Sequence, residues 1–219
     1  MEAEPATSRS AVVAGGTGLV GRSLLQLLGE SDSYDRVTTL VRRVVATPPG
    51  VTSLQVDFER LDEVALPAVD NAFCCLGTTR RAAGSAVAFR RVDFDYIVAF
   101  ARLAKRAGAQ RFLLVSSVGA SARSPLLYSR TKGECEDAIK AIGFTTVVIL
   151  QPSILVGVRA EHRGGEALGL AIARLIGPLL VGPLRRYAPT DATAVARTLV
   201  RAAATAPAGV TLIESDGIR

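Results

Sequence analysis

Aromatic side chains make up only 5% of this chain, so its interior has to be filled by Ala, Val, Leu and Ile. That is the composition of buried parallel strands covered by Ala- and Leu-rich helices. Cysteine occurs three times, twice as the adjacent pair Cys74 and Cys75. This rules out a disulfide framework, and no spacing resembles a zinc site; the compartment it implies is a reducing cytoplasm. The single histidine, His162, stands between Glu161 and Arg163, and one imidazole is too few for a metal site, so no metal is expected and a solvated loop is its expected setting. Lysine is scarce as well. Of the 26 basic residues 23 are arginine, and Lys105, Lys132 and Lys140 are the three lysines, so a lysine at a motif position is informative.

The net charge of +6 is carried by arginines that stand singly or in pairs, without a basic run or interleaved aromatics. Nucleic acid is therefore not an expected partner, while paired arginines remain available for local anion binding. No membrane span is expected either: the most apolar stretch, residues 167–182, contains Arg174 and Pro178 and is too short to cross a bilayer. Residues 1–10 are polar and acidic at their start and lack the apolar centre of a signal peptide, so they read as a disordered lead.

At 219 residues the chain suits one α/β domain, expected over 11–219. Apolar, β-branched runs predict strands at 11–14, 37–41, 54–56, 71–75, 112–115, 145–150 and 210–213. Helical spacing predicts helices at 19–28, 89–107, 128–141, 166–176 and 192–204, with Leu24, Leu25, Leu27 and Leu28 towards the core. The β-α-β alternation predicts a Rossmann-type, doubly wound parallel sheet flanked by helices. Residues 157–189, rich in Gly, Pro and Arg, are the least regular part and the expected lid or substrate region.

The segment Val-Val-Ala-Gly-Gly-Thr-Gly-Leu-Val-Gly-Arg at 12–22 lies between a predicted strand and a predicted helix, the context that gives a glycine pattern weight. Gly15 permits the tight turn, Gly18 lets backbone approach a pyrophosphate, and Gly21 allows close helix–strand packing. The phosphates would meet free N–H groups at the positive end of the helix dipole. A dinucleotide cofactor follows. An NAD-preferring domain usually has a carboxylate at the end of its second strand, but this chain has Arg42 and Arg43 after Val41. Two guanidinium forks suit a 2′-phosphate, so NADP(H) is preferred, with NAD(H) as the other option.

Tyr128 and Lys132 are four residues apart on a predicted helix and so share a face. An ammonium there favours the phenolate, which suits Tyr128 to exchange a proton with a substrate oxygen, and Lys132 can also hold the nicotinamide ribose. Ser116 and Ser117 close a strand at the rim where such sheets bind ligands, and a hydroxyl there can orient a carbonyl.

These residues resemble the short-chain dehydrogenase/reductase superfamily in its atypical or extended-like branch, and more narrowly the Tat-interactive-protein-2-like oxidoreductases. The resemblance runs from about Val12 to about Arg201. It includes Val56-Asp57-Phe58-Glu59, Arg91-Val92-Asp93 and, most specific to the family, the string Cys74-Cys75-Leu76-Gly77-Thr78-Thr79-Arg80. It implies that Thr17, Gly18, Leu19 and Val20 surround the pyrophosphate, Arg42 and Arg43 the 2′-phosphate, Asp57 the adenine, and Leu76 and Gly77 the cofactor ribose. It also implies Tyr128 and Lys132 as the catalytic pair, Leu155 near the nicotinamide, Arg163 in cofactor binding and, of the two serines, Ser117 at the catalytic position. The sequence departs from the pattern where many members have Asn and this chain has Asp93, which puts an Asn-dependent proton relay in doubt. Only ten residues separate Ser117 from Tyr128, leaving little room for an elaborate substrate loop.

The implied activity is NADPH-dependent hydride transfer between nicotinamide and a small-molecule carbonyl or alcohol. The alternative is an NADPH-sensing regulatory or interaction protein without turnover, which would have no chemical need for a Tyr/Lys pair. Both a monomer and a homodimer are compatible with the sequence.

Overall fold

Strands that are apolar at consecutive positions, rather than alternate ones, need cover on both faces, and the computed structural model provides it. It describes residues 8–156 and 187–219. In β1 (Arg9–Ala14) every residue after Arg9 is buried. The strand begins two residues ahead of the expected Ala11, so Arg9 and Ser10 belong to the sheet and not to a disordered lead. Alongside run β2 (Tyr34–Val41), β3 (Val51–Gln55), β4 (Asn71–Cys74), β5 (Arg111–Val115), β6 (Thr146–Gln151) and, near the C-terminus, β9 (Gly209–Glu214). Together these form a seven-stranded sheet in the order β3-β2-β1-β4-β5-β6-β9, with every pairing parallel. The order reverses between β1 and β4. In an open α/β sheet that switch point, at the carboxyl ends of the strands, is where ligands bind.

Each face of the sheet has its own core. Val12, Ala14, Leu40, Ala72 and Phe112 pack with Ile97, Phe100 and Leu103 of α4 (Tyr96–Arg106) and Cys135 and Ile139 of α5 (Leu127–Ala141). On the other face, Ala11, Val13, Phe73 and Leu113 meet Leu24, Leu25 and Leu28 of α1 (Leu19–Gly29). Val195 and Leu199 of α6 (Ala192–Thr205) complete that layer. Leu27, expected to point inwards with its neighbours, is only half-buried at the edge of this cluster. The adjacent cysteines separate as strand alternation requires, with Cys74 in the first core and Cys75 against the second.

The long helix expected at 89–107 is interrupted. Two short helices, α2 (Arg80–Ala83) and α3 (Ala86–Arg90), precede a π-helical turn at Arg91–Asp95 that leads into α4. Hydroxyls start both short helices, Thr79 accepting from the Ala82 N–H and Ser85 from the Ala88 N–H. A further parallel pair, β7 (Leu155–Val156) with β8 (Thr190–Asp191), stands beyond β6. The expected helix at 166–176, His162, Arg163 and most of the expected lid lie outside the described residues. No helix among the described residues is long and apolar enough to cross a membrane.

Candidate active site

The turn after β1 is shaped by what its glycines exclude. Gly15 has a φ of +85°, and a Cβ there would run into the Cys75 carbonyl; at Gly21 a Cβ would strike the Gly15 carbonyl oxygen. Both positions are closed by backbone, which draws the start of α1 against β1 and β4. Gly18 differs: a Cβ would meet only the Gly15 oxygen at 3.2 Å and the Cys75 oxygen at 4.0 Å, leaving its outer side open. It is also the N-cap of α1, and no side chain caps the helix and no acidic residue occupies its first turn. The free N–H groups of that turn are thus left without a protein anion, an arrangement that suits a bound pyrophosphate. Thr17 and Gly18 are exposed, Leu19 is half-buried, and Val20 is buried in the core, so Val20 can offer a phosphate only its backbone N–H. The Arg22 Nε donates to the Thr17 carbonyl at 3.0 Å and ties the loop to its helix.

Arg42 and Arg43 follow β2 at the same edge of the sheet and are exposed. Neither guanidinium is held by a carboxylate among the described residues. The Arg42 carbonyl accepts from Gln55 Nε2 at 3.3 Å, which steadies the backbone while leaving the fork free. Asp57 is exposed and uses one carboxylate oxygen to cap the short 3-10 turn at Phe58–Arg60, accepting from the Glu59 N–H at 2.9 Å.

The loop after β4 brings Leu76 and Gly77 across the switch point to α5. A Cβ on Gly77 would lie 3.5 Å from both Lys132 Nζ and Asp93 Oδ1. Lys132 is 4% exposed, and its ammonium pairs with the fully buried Asp93 at 2.8 Å, a charge contact rather than an aligned hydrogen bond. Burial alone would pull the ammonium down, but Asp93, followed by Tyr128, outweighs it and holds Lys132 above the ordinary lysine range. Tyr128, one turn earlier, is 42% exposed, and its ring stacks on buried Phe89 of α3 with centroids 5.6 Å apart.

The two serines divide. The Ser116 hydroxyl is buried and donates to Glu136, whose carboxylate also accepts from Gln151 Nε2 at 2.9 and 3.2 Å. The Ser117 hydroxyl makes only a 3.5 Å contact to the Val118 carbonyl among the described residues, which leaves it available to the rim. The chain around it is pinned by the Ser116 N–H to the Leu150 carbonyl and the Val118 N–H to the Pro152 carbonyl. Leu155 lies on β7 just beyond β6, half-buried against the α1 and α6 core. Buried Cys74 and Cys135 sit close to the Asp93–Lys132 pair, and burial pushes both thiols up to about 12, so they pack as small apolar groups. Asp93 is the residue whose part the sequence left open. The signal for it was an acidic residue between Val92 and Phe94 in a helix whose other inward positions are apolar.

Known proteins resemble this chain in sequence and in fold. A sequence profile described as NAD(P)H-binding matches residues 15–167. Protein HTATIP2 of Rattus norvegicus is 40% identical over 168 residues, covering 74% of this chain and 69% of its own length. Protein fmp52, mitochondrial, of Aspergillus clavatus is 36% identical over 214 residues, covering 92% of this chain and 87% of its own. Among solved structures, the human epimerase family protein SDR39U1 with NADPH superposes with a TM-score of 0.61 at 21% identity, covering 94% of this chain and 76% of that one. Epimerase Mth375 from Methanothermobacter thermautotrophicus gives 0.70 at 17%, covering 96% and 73%. The cytoplasmic expectation is corrected by these relatives, since FMP52 proteins from several fungi carry "mitochondrial" in their names. Three cysteines without a disulfide pattern report the absence of disulfide chemistry, and that does not separate one thiol-preserving compartment from another.

Proposed function

Since this chain belongs to the NAD(P)H-binding family that includes Protein HTATIP2 and the FMP52 proteins, we propose that it is an NADPH-dependent oxidoreductase of the short-chain dehydrogenase/reductase type, acting on a carbonyl or alcohol. When bound, the nicotinamide supplies or accepts the hydride. Gly15, Gly18 and Gly21 and the first turn of α1 hold the pyrophosphate, Leu76 and Gly77 line the ribose, and Arg42 and Arg43 take the 2′-phosphate. Tyr128 gives a proton to a carbonyl oxygen in reduction and takes one from a hydroxyl in oxidation. Ser117 orients that oxygen, and Lys132 sets the charge beside the phenol.

The observation that carries the proposal is the contrast between Tyr128, 42% exposed at the rim, and Lys132, 4% exposed one turn further along the same helix. A phenol open to substrate and backed by a buried ammonium is an arrangement for proton transfer, and it supports turnover over cofactor sensing. NADPH oxidation across a panel of aldehydes, ketones and quinones tests it. Turnover that disappears in Tyr128→Phe, with NADPH still bound, is the expected result. Tight NADPH binding with no turnover on the whole panel would instead favour the sensor. The names of the fungal relatives extend the proposal to a mitochondrial site of action. Fractionation of cells expressing the tagged chain checks that, and recovery outside mitochondria would reject it.

A further inference from the structure

Asp93 and Lys132 form an ion pair with side chains only 0% and 5% exposed, whereas each of the other ion pairs among the described residues joins side chains at least 32% exposed. Its surroundings join three elements. Asp93 comes from the π-helical turn, Lys132 from α5, and the second carboxylate oxygen, Oδ2, accepts from the Thr78 N–H at 2.9 Å in the loop after β4. Gly77 completes the contact from above, its missing Cβ leaving 3.5 Å to both charged atoms. An Asn at position 93 could accept from Thr78 equally well. It could not neutralise an ammonium.

The groups facing Lys132 are Asp93 from the π turn, Cys74 from β4, and Tyr128 and Cys135 from its own helix. The two thiols are neutral at physiological pH because burial pushes them up to about 12. Among the described residues, Asp93 is therefore the one counter-charge that can keep this buried ammonium protonated. A π turn aids this placement. Widening the helix by a residue at Arg91–Asp95 turns Asp93 inwards, while Ile97, Phe100 and Leu103 of α4 keep their places in the core.

We propose that Asp93 is a positioning residue: it keeps Lys132 charged and seated against Gly77, so that Tyr128 works beside an ammonium instead of a neutral amine. The proposal rests on the oxidoreductase reading only for its kinetic consequence. The charge pairing itself is measured without turnover.

Because the chain has only three lysines, ¹³C-labelled lysine Cε signals can be followed by NMR one residue at a time, with Lys105→Arg and Lys140→Arg assigning the other two. In the wild type, the Lys132 signal is expected to remain largely in its protonated position at pH 10.5, the ordinary lysine midpoint. In Asp93→Asn, its proton affinity is expected to fall at least tenfold, and in Asp93→Glu to return towards the wild-type value. A Lys132 midpoint at or below 10.5 in the wild type overturns the proposal, and this needs no variant that might fail to fold. An unchanged midpoint in folded Asp93→Asn overturns it as well. If the enzyme turns over, the alkaline limb of kcat/KM moves to lower pH in Asp93→Asn, a change that a purely structural role would not produce. A lowered Lys132 midpoint without turnover on any substrate upholds the pairing and rejects the oxidoreductase reading instead. Turnover with an unmoved midpoint does the reverse.

Discussion

The ring of Tyr128 stacks on that of Phe89 at 28° between planes, joining the start of α5 to α3 across 39 positions of sequence. Phe89 is fully buried, so it fixes the direction of a phenol that is otherwise open to solvent. An aromatic pair of this kind adds about 0.5–1.5 kcal/mol beyond burial, enough to favour one orientation of the ring. Phe89→Leu fills most of the same volume without the stack. It is expected to lower kcat several-fold while leaving NADPH affinity near that of the wild type, as read by steady-state kinetics and calorimetry. An equal loss in both would place Phe89 in general folding and not in aiming the phenol.

Arg42 and Arg43 make the proposed preference for NADPH measurable. Hydrogen bonds to a charged group contribute about 1.5–3 kcal/mol each, about 3–6 kcal/mol for one from each arginine, so replacing both by Ala should weaken NADPH by roughly 10²- to 10⁴-fold. NADH, which lacks the 2′-phosphate, should lose little. Equal affinity of the wild type for the two cofactors would contradict the assignment.

The glycines of the first turn should separate folding from binding. Gly21→Ala drives a methyl into the Gly15 carbonyl, and overpacking of that kind costs on the order of 1–3 kcal/mol, a fall of several degrees in Tm. Gly18 has a φ of −75°, which Ala adopts freely, and its outer side is open. Gly18→Ala should therefore melt close to wild type yet bind NADPH more weakly. A lowered Tm with intact binding in Gly18→Ala would refute the placing of phosphate there.

Glu136 introduces a pH dependence of stability. Burial raises its carboxyl above the ordinary 4.5, only partly offset by the hydrogen bonds from Ser116 and Gln151. A carboxyl that is harder to ionise in the fold than in the unfolded chain contributes stability fully below pH 4.5, and loses it as pH rises through the higher folded value. In Glu136→Gln the amide oxygen still accepts from both partners without the cost of a buried charge. Its Tm should exceed that of the wild type at neutral pH and converge with it in acid, and a parallel offset at all pH values would show that ionisation is not the cause.

How much of this was visible in the sequence depended on range. The glycine turn, the seven strands of the main sheet and the Tyr128–Lys132 spacing are local patterns; the strands are found within a few residues of their expected ranges, β3 at Val51–Gln55 against 54–56, while the two-residue β7 and β8 are too short to leave such a pattern. Helical periodicity could not reveal the π turn, because α3 and α4 each keep their apolar face and only the phase between them changes. Ser116 and Ser117 are consecutive just past the end of β5, and which one meets a buried carboxylate depends on Glu136, twenty positions away. Asp93 stood out as a departure. Its meaning came from Thr78 and Lys132, which approach it only when the sheet brings α5 beside the loop after β4.

The π turn at Arg91–Asp95 also acts as a switch of helical phase. One residue more or fewer in an α-helix rotates everything beyond it by about 100°. With Ile97, Phe100 and Leu103 holding α4 on the sheet, a single deletion within this turn would leave a smoother helix of ordinary pitch and take up that rotation in the turn itself, carrying Asp93 away from the ammonium. The least regular turn in this part of the chain is thus the place where a change of one residue in length would tell most on the site and least on the core.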